Sequence, residues 1–264
     1  MKVQGKVVVV TGAGSGMGRQ LTIELVQKGA KVAAVDFRAE TLEETRKIAG
    51  GTVEAFVLDV TDAAGVAALP AQVEAKLGPV DALINNAGII QPFVHVKDLT
   101  MEQANKVMNV NFFGPLMLVK AFLPGLLARP EAHILNVSSM GAYAPVPGQS
   151  LYGASKAAIK LLTEGLRSEL MDTKVGVTVA FPGAINTNIS VNSGMAMPAG
   201  GDEAASKFKM TEAPVAAAKM IDAIEQNKPR ITIGSDATMM DRLSRLNPVM
   251  AANVIYKQMK SLLG

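Results

Sequence analysis

Val7-Val-Val-Val-Thr-Gly-Ala-Gly-Ser-Gly-Met-Gly18 joins a short apolar run to a glycine-rich turn, and an amphipathic stretch follows to Lys28. A brief β-branched run of this kind reads as a strand buried on both faces. Glycines at a strand-to-helix turn let the backbone approach a pyrophosphate closely. The helix beyond offers free amides and the positive end of its dipole. The spacing is Gly-x3-Gly-x-Gly, and Gly14 creates other overlapping readings. Tight packing of helix on strand would use the same glycines, so the turn gains meaning from its place after the first strand. Gly12, Ser15, Gly16, Met17 and Gly18 are the candidate cradle of a dinucleotide.

Outward from that turn, short β-branched runs alternate with helical stretches, which predicts a parallel sheet covered by helices on both faces. The expected strands are 6–11, 31–36, 53–59, 82–85, 134–138, 176–181 and 230–234. The expected helices are 16–28, 39–49, 62–77, 100–127, 150–171 and 214–227, with a kink or break at Gly114-Pro115. No linker or internal repeat divides the chain, so residues 1–264 read as a single domain. Residues 188–211 are too long for an ordinary connection and too apolar for a linker, and read as a substrate lid. Met195, Met197 and Met210 would give it a deformable apolar wall, which points to a hydrophobic substrate. Residues 236–264 read as a helical tail in which Met250, Val254, Ile255, Met259, Leu262 and Leu263 fall near one stripe. A subunit interface or packing on its own domain is expected for that stripe ahead of contact with lipid.

Composition excludes several classes. The absence of cysteine rules out disulfides, thiolate catalysis and Cys-based zinc sites, and suits a cytoplasmic protein. The amino terminus leads straight into a strand without signal-peptide organisation, and no uninterrupted apolar run reaches 18 residues, so no integral membrane segment is expected. Net charge is +3, with nine basic against five acidic residues from Lys207 onward. That mild excess reads as a solvated face, not as a nucleic-acid stripe. His95 and His133 lack carboxylates at ligand spacing, so no metal is expected.

Asp36 closes the second expected strand, 20 residues after Gly16. A carboxylate there accepts hydrogen bonds from adenosine ribose hydroxyls and repels a 2′-phosphate, which favours NAD. Arg38 could meet such a phosphate, so NADP stays possible. Tyr152 and Lys156, in Ser150-Leu-Tyr-Gly-Ala-Ser-Lys156, lie four residues apart and share one helix face. A phenol is ordinarily too weak an acid to work as a base near neutrality, and a fixed cation beside it favours the phenolate. Next to a dinucleotide cradle, the pair points to hydride transfer with proton movement at an alcohol or carbonyl oxygen.

Gly12–Gly18, Asn85-Asn-Ala-Gly88, Ser139, Tyr152 and Lys156 together strongly resemble the short-chain dehydrogenase/reductase family, over about residues 5 to 190. The resemblance implies a Rossmann-type doubly wound parallel sheet in three layers, α/β/α, and assembly as a homodimer or homotetramer. It implies that Asp59 and Val60 contact the adenine, and that Asn86, Ala87 and Gly88 form the turn against the cofactor. Pro182, Gly183, Ile185 and Thr187 match the segment that holds the nicotinamide carboxamide. Ser139 matches the catalytic serine, with Ser138 the competing choice, and Asn111 matches the family's active-site asparagine. Tyr143 falls where members line the substrate pocket.

The expected chemistry follows from these residues. Tyr152 gives a proton to a carbonyl oxygen in reduction and removes it in oxidation. Ser139 hydrogen-bonds the same oxygen. Lys156 holds the phenolate and can bind the nicotinamide ribose, while Asn111 holds a water linking Lys156 to solvent. The substrate is a small alcohol or ketone. A cofactor-binding scaffold with a vestigial site, or an epimerase or dehydratase of the extended relatives, are the alternative readings.

Overall fold

The computed structural model describes residues 1–187, 189–193 and 210–260. Its centre is a seven-stranded sheet of β1 (Val7–Thr11), β2 (Lys31–Asp36), β3 (Val53–Val57), β4 (Ala82–Asn85), β5 (Ala132–Val137), β6 (Val175–Pro182) and β9 (Arg230–Ile233), in the order β3-β2-β1-β4-β5-β6-β9. Every neighbouring pair is parallel. All seven expected strands are present, 31–36 and 82–85 with the same ends and the other five with ends displaced by at most two residues.

Alternation along β1 builds two cores. Val8 and Val10 face one side, where they join Leu21 and Leu25 of α1 (Gly16–Gln27) and Met220 and Ile224 of α8 (Ala213–Glu225). Val7 and Val9 face the other, with Val66 and Leu69 of α3 (Ala63–Leu77), Leu118 and Phe122 of α5 (Gly114–Leu127) and Leu166 of α6 (Ser150–Glu169). A period of two on a sheet covered twice leaves no solvent face, which is why these strands read as unbroken apolar runs. The remaining helix on this scale, α2 (Ala39–Ala49), follows β2.

β1 pairs with β2 on one side and with β4 on the other. Chain progression reverses there, so the helices leave on opposite faces and a crevice opens at the carboxyl ends of β1 and β4.

The stretch expected as one helix with a kink or break at Gly114-Pro115 is continuous, with its irregularity just ahead of that pair. α4 (Met101–Met108) starts with a capping box of Thr100 and Gln103, passes through a π turn at Asn109–Phe113, and runs on as α5. Pro115 lacks the N–H that would bond the carbonyl of residue 111 in an α-helix, and the widened turn absorbs that loss with Gly114 N donating to Asn109 O. The irregularity therefore precedes the Gly-Pro pair by a turn. Met101–Leu127 is also, among the described residues, the one helix long and apolar enough by length and composition to cross a membrane, and Leu118, Phe122 and Leu126 of its stripe are buried in the core.

Most of 188–211 lies outside the described residues, Met195 and Met197 included, and the lid reading lies there with it; only the edges of the segment are described. These are a single turn, α7 (Ile189–Asn192), an exposed Met210, and a two-residue parallel ladder of β7 (Ile185–Asn186) with β8 (Thr211–Glu212). The tail is two helices, α9 (Ser235–Leu246) and α10 (Pro248–Met259), hinged at Asn247, whose side chain caps α10 through Met250 N. Ala251 and Ile255 form the buried stripe, with Val254 and Met259 packed beside them, whereas Met250 is 52% exposed. The hinge turns Met250 outward and corrects the expected stripe; Leu262 and Leu263 lie outside the described residues.

Candidate active site

The turn after β1 is held from two sides. Thr11 Oγ1 accepts from Asn86 N and Ala87 N at 3.0 Å each, and Asn86 Nδ2 donates to Thr11 O at 2.9 Å. Gly12 has φ +69°, and a Cβ there would meet Asn86 and Ala87 at about 3 Å. A Cβ on Gly18 would overlap the Gly12 carbonyl, so this glycine serves the close approach of α1 to β1 and not the cleft wall. Arg19, which no sequence signal singled out, donates from Nη2 to Gly14 O at 2.8 Å and pairs with Glu44.

Between β1, β2 and β4 lies a cleft of about 320 Å³. Gly12, Ser15, Gly16, Met17, Asp36, Asp59, Val60, Asn86, Ala87, Gly88 and Thr187, all named from sequence as cofactor candidates, are brought together along it. Phe37, Leu58, Lys106 and Val110 also line it and were not anticipated, because nothing in their local pattern marks them. Pro182, Gly183 and Ile185 do not form its wall. Gly183 N donates to Ile233 O at 2.9 Å, Ala184 N donates to Asp236 Oδ2 at 2.7 Å, and Ile185 packs on the core. Asp236 is thus a brace for this segment that the sequence did not reveal.

Asp36 is buried at the end of β2. Its Oδ2 accepts from Gly14 N at 2.9 Å and its Oδ1 from Arg38 N at 3.1 Å, with the Arg38 guanidinium 3.9 Å away and stacked on Phe37. Asp59 lies past the end of β3, its carboxylate accepting from Thr61.

The residues present fit a dinucleotide. Gly12, Gly16 and Gly88 present bare backbone to the cleft, and Asn86 Oδ1 is a buried acceptor with no hydrogen-bond partner among the described residues. A buried orphan acceptor is costly unless a ligand satisfies it.

Ser139, Tyr152 and Lys156 lie near one another, with Lys156 Nζ behind Gly88 at 3.2 Å from where a Cβ there would stand; none of the three lines the cleft itself. Ser139, just past the end of β5, accepts from Gly141 N at 3.1 Å, and its hydroxyl is the polar neighbour of the Tyr152 phenol. Gly141 packs against both, since a Cβ there would stand 3.4 Å from the Tyr152 ring and 3.5 Å from Ser139 Oγ. Ser138 points elsewhere and donates to Lys156 O at 2.7 Å, so of the two serines it is Ser139 that lies beside the Tyr152 ring. Lys156 Nζ lies 5.9 Å from the Tyr152 ring centre and donates to Val137 O at 3.1 Å.

The electrostatics correct one expectation. Burial raises the Tyr152 phenol above its ordinary range, and the Ser139 hydrogen bond only partly offsets this. Burial also lowers Lys156 to about 8. Both groups lose solvation, and that loss outweighs the help the ammonium was expected to give the phenolate.

Asn111 sits in the π turn with its side chain committed: Oδ1 accepts from Ile89 N and Nδ2 donates to Ile89 O, both at 2.9 Å, and Nδ2 also donates to Ser155 Oγ at 3.0 Å. Any water it holds is therefore a matter for its backbone carbonyl, whose α-helical donor Pro115 cannot supply. Tyr143 stands away from the cleft, contrary to expectation. Its hydroxyl donates to Ala237 O at 2.9 Å and its ring packs on Phe181, because α9 offers a dry apolar face there.

The model of the short chain dehydrogenase family matches residues 6–197. The chain is 35% identical over 252 residues to the SadH protein of Mycobacterium tuberculosis, covering 92% of this chain and 91% of that one. It is 39% identical over 198 residues to dehydrogenase/reductase SDR family member 7B of Mus musculus, covering 72% of this chain and 61% of that protein. Among solved structures, a short-chain dehydrogenase/reductase from Burkholderia phymatum in complex with NAD superposes with a TM-score of 0.87 at 26% identity, covering 96% of this chain and 97% of that one. A short-chain dehydrogenase from Burkholderia cenocepacia J2315 in complex with NADP gives 0.82 at 28% identity, covering 97% and 99%. With its reversed parallel sheet, glycine cradle and convergent Ser139, Tyr152 and Lys156, the chain belongs to the short-chain dehydrogenase/reductase family of oxidoreductases.

Proposed function

We propose that the protein interconverts a hydrophobic secondary alcohol and its ketone, with NAD preferred over NADP. The observation that carries this reading is the Tyr152 phenol set beside the Ser139 hydroxyl, with the buried Lys156 ammonium 5.9 Å from the phenol ring centre and against Gly88 of the cleft wall. Tyr152 gives its proton to the carbonyl oxygen in reduction and takes it back in oxidation. Ser139 Oγ holds that oxygen and the phenol in one geometry, where charge develops. Lys156 supplies a cation 5.9 Å from the ring centre and a route for proton resupply through a water at the Asn111 carbonyl. A bound nicotinamide supplies or accepts the hydride.

The glycine turn, Ser15 and Met17 would hold the pyrophosphate, Val60 and Asp59 the adenine, and Asn86, Gly88, Lys156 and Thr187 the nicotinamide half. Asp36 supports the NAD preference because its buried carboxylate stands in the cleft wall, where a 2′-phosphate would meet like charge. Exposed Phe113 and Leu161 support assembly into a dimer or tetramer.

A panel of hydrophobic ketones and secondary alcohols, each run with NADH/NAD and NADPH/NADP, tests the reading. Wild-type protein is expected to change nicotinamide absorbance with at least one pair, and Tyr152→Phe to lose roughly 10²- to 10⁴-fold in rate while keeping NADH affinity. A Tyr152→Phe variant as fast as the wild type removes Tyr152 from the chemistry.

A further inference from the structure

We propose that Gln91 is a positioning residue for Tyr152, setting the register between the acid–base helix and the turn against the cofactor. The inference rests on the reading of Tyr152 as the acid–base group. Gln91 is fully buried and lies three residues past Gly88. Its Oε1 accepts from Leu151 N at 2.8 Å and from Tyr152 N at 2.9 Å, in the first turn of α6. Its Nε2 donates to Gly148 O at 2.8 Å, and its own carbonyl accepts from Gln149 Nε2 at 2.8 Å.

A helix start leaves its first amides without intrahelical partners, and a side chain at the N-cap normally takes one. Gln149 occupies the N-cap of α6 and makes no side-chain cap. The acceptor comes instead from 60 residues upstream in sequence. One of the two amides it holds belongs to Tyr152 itself.

The other end of the brace reaches the cofactor turn. Ile89, two residues before Gln91, is pinned at both backbone atoms by Asn111, and a Cβ on Gly88 would stand 3.2 Å from Lys156 Nζ. Four side-chain bonds thus fasten the segment that lies against the nicotinamide half of the cleft to the turn that presents the phenol.

Gln91→Leu removes the brace at nearly constant volume. Hydride transfer, measured in a single turnover and normalised to sites that bind cofactor, is expected to fall roughly 10- to 100-fold, the cost of about 1 Å of misplacement, with cofactor affinity unchanged. Gln91→Glu keeps the acceptor and loses the donor, and should recover part of that rate. A second readout needs no substrate. The chain has three tyrosines, so the ring signal of Tyr152 in a ¹³C-tyrosine spectrum is identified by its loss in Tyr152→Phe. Its titration midpoint should move in Gln91→Leu, since Ser139 and Lys156 no longer face the phenol in the same way.

A normal rate per site together with an unmoved Tyr152 midpoint overturns the proposal, even if the melting temperature drops, because Gln91 then only holds the fold. If the wild type turns over no alcohol or ketone, the functional reading fails and the Tyr152 midpoint alone decides the role of Gln91. Should Gln91→Leu not fold, Gln91→Asn, shorter by one methylene, carries the same two expectations.

Discussion

At the scale of the residue, Lys156 shows function opposing stability. Its pKa is lowered to about 8 in the folded protein against 10.5 for an ordinary lysine, so the unfolded chain binds more protons between those values. Stability from this group therefore rises as pH climbs from about 8 toward 10.5, and the buried cation costs on the order of 3 kcal/mol at pH 7. Lys156→Met should lose activity yet melt no lower than the wild type at pH 7, and its relative advantage should vanish above pH 10. Melting curves across that range check this; a large loss of stability at pH 7 would contradict it. Asp36→Ala addresses the cofactor. It should lower the ratio of kcat/KM for NAD over NADP by about ten-fold or more, because the like charge is gone and Arg38 is left to meet a 2′-phosphate. An unchanged ratio assigns the preference elsewhere.

Among the elements, β5 and β6 carry a latent acid sensitivity. His133 is buried on β5 with its ring nitrogen 2.8 Å from Thr178 Oγ1 on β6, and burial lowers its pKa to about 3. The unfolded imidazole protonates near pH 6.5, so stability falls by about 1.4 kcal/mol per pH unit as pH drops from there toward 3. His133→Asn should flatten the pH dependence of urea unfolding by close to one proton in that range. An unaltered slope would mean the native imidazole takes up its proton after all. The helix from 101 to 127 shows where element reading from sequence stops. Gly114-Pro115 correctly signals an irregularity, but a break and a π turn look alike in a string of residues. Packing decides between them, because Asn111 must stay in line to clasp Ile89.

For the whole molecule, the exposed apolar side chains outside the cleft matter most. Leu161 on α6 is 68% exposed and Phe113, in the π turn beside it in the fold, 46%. Assembly through this face would remove both from water. Light scattering should then return two or four times the monomer mass, and Leu161→Arg should lower it with little effect on a monomer's fold. A wild-type protein that is monomeric at micromolar concentration ends that expectation.

The strands, their order of appearance and most of the cradle were legible from sequence, since a sheet buried on both faces turns each strand into an apolar run and glycine at a turn has few substitutes. Tyr152 and Lys156 were legible too, because one helix turn links them. Local pattern could not decide what depends on distant chain segments meeting. Of the two serines it is Ser139 that lies beside the Tyr152 ring, because Ser138 is drawn to the Lys156 carbonyl. Gln91 caps a helix that begins some 60 residues later, and Asp236 braces the Ala184 backbone from α9. Each is a hydrogen bond closed by tertiary packing. Burial, which moves Tyr152 and Lys156 away from their ordinary pKa values, exists only once the fold has shut water out.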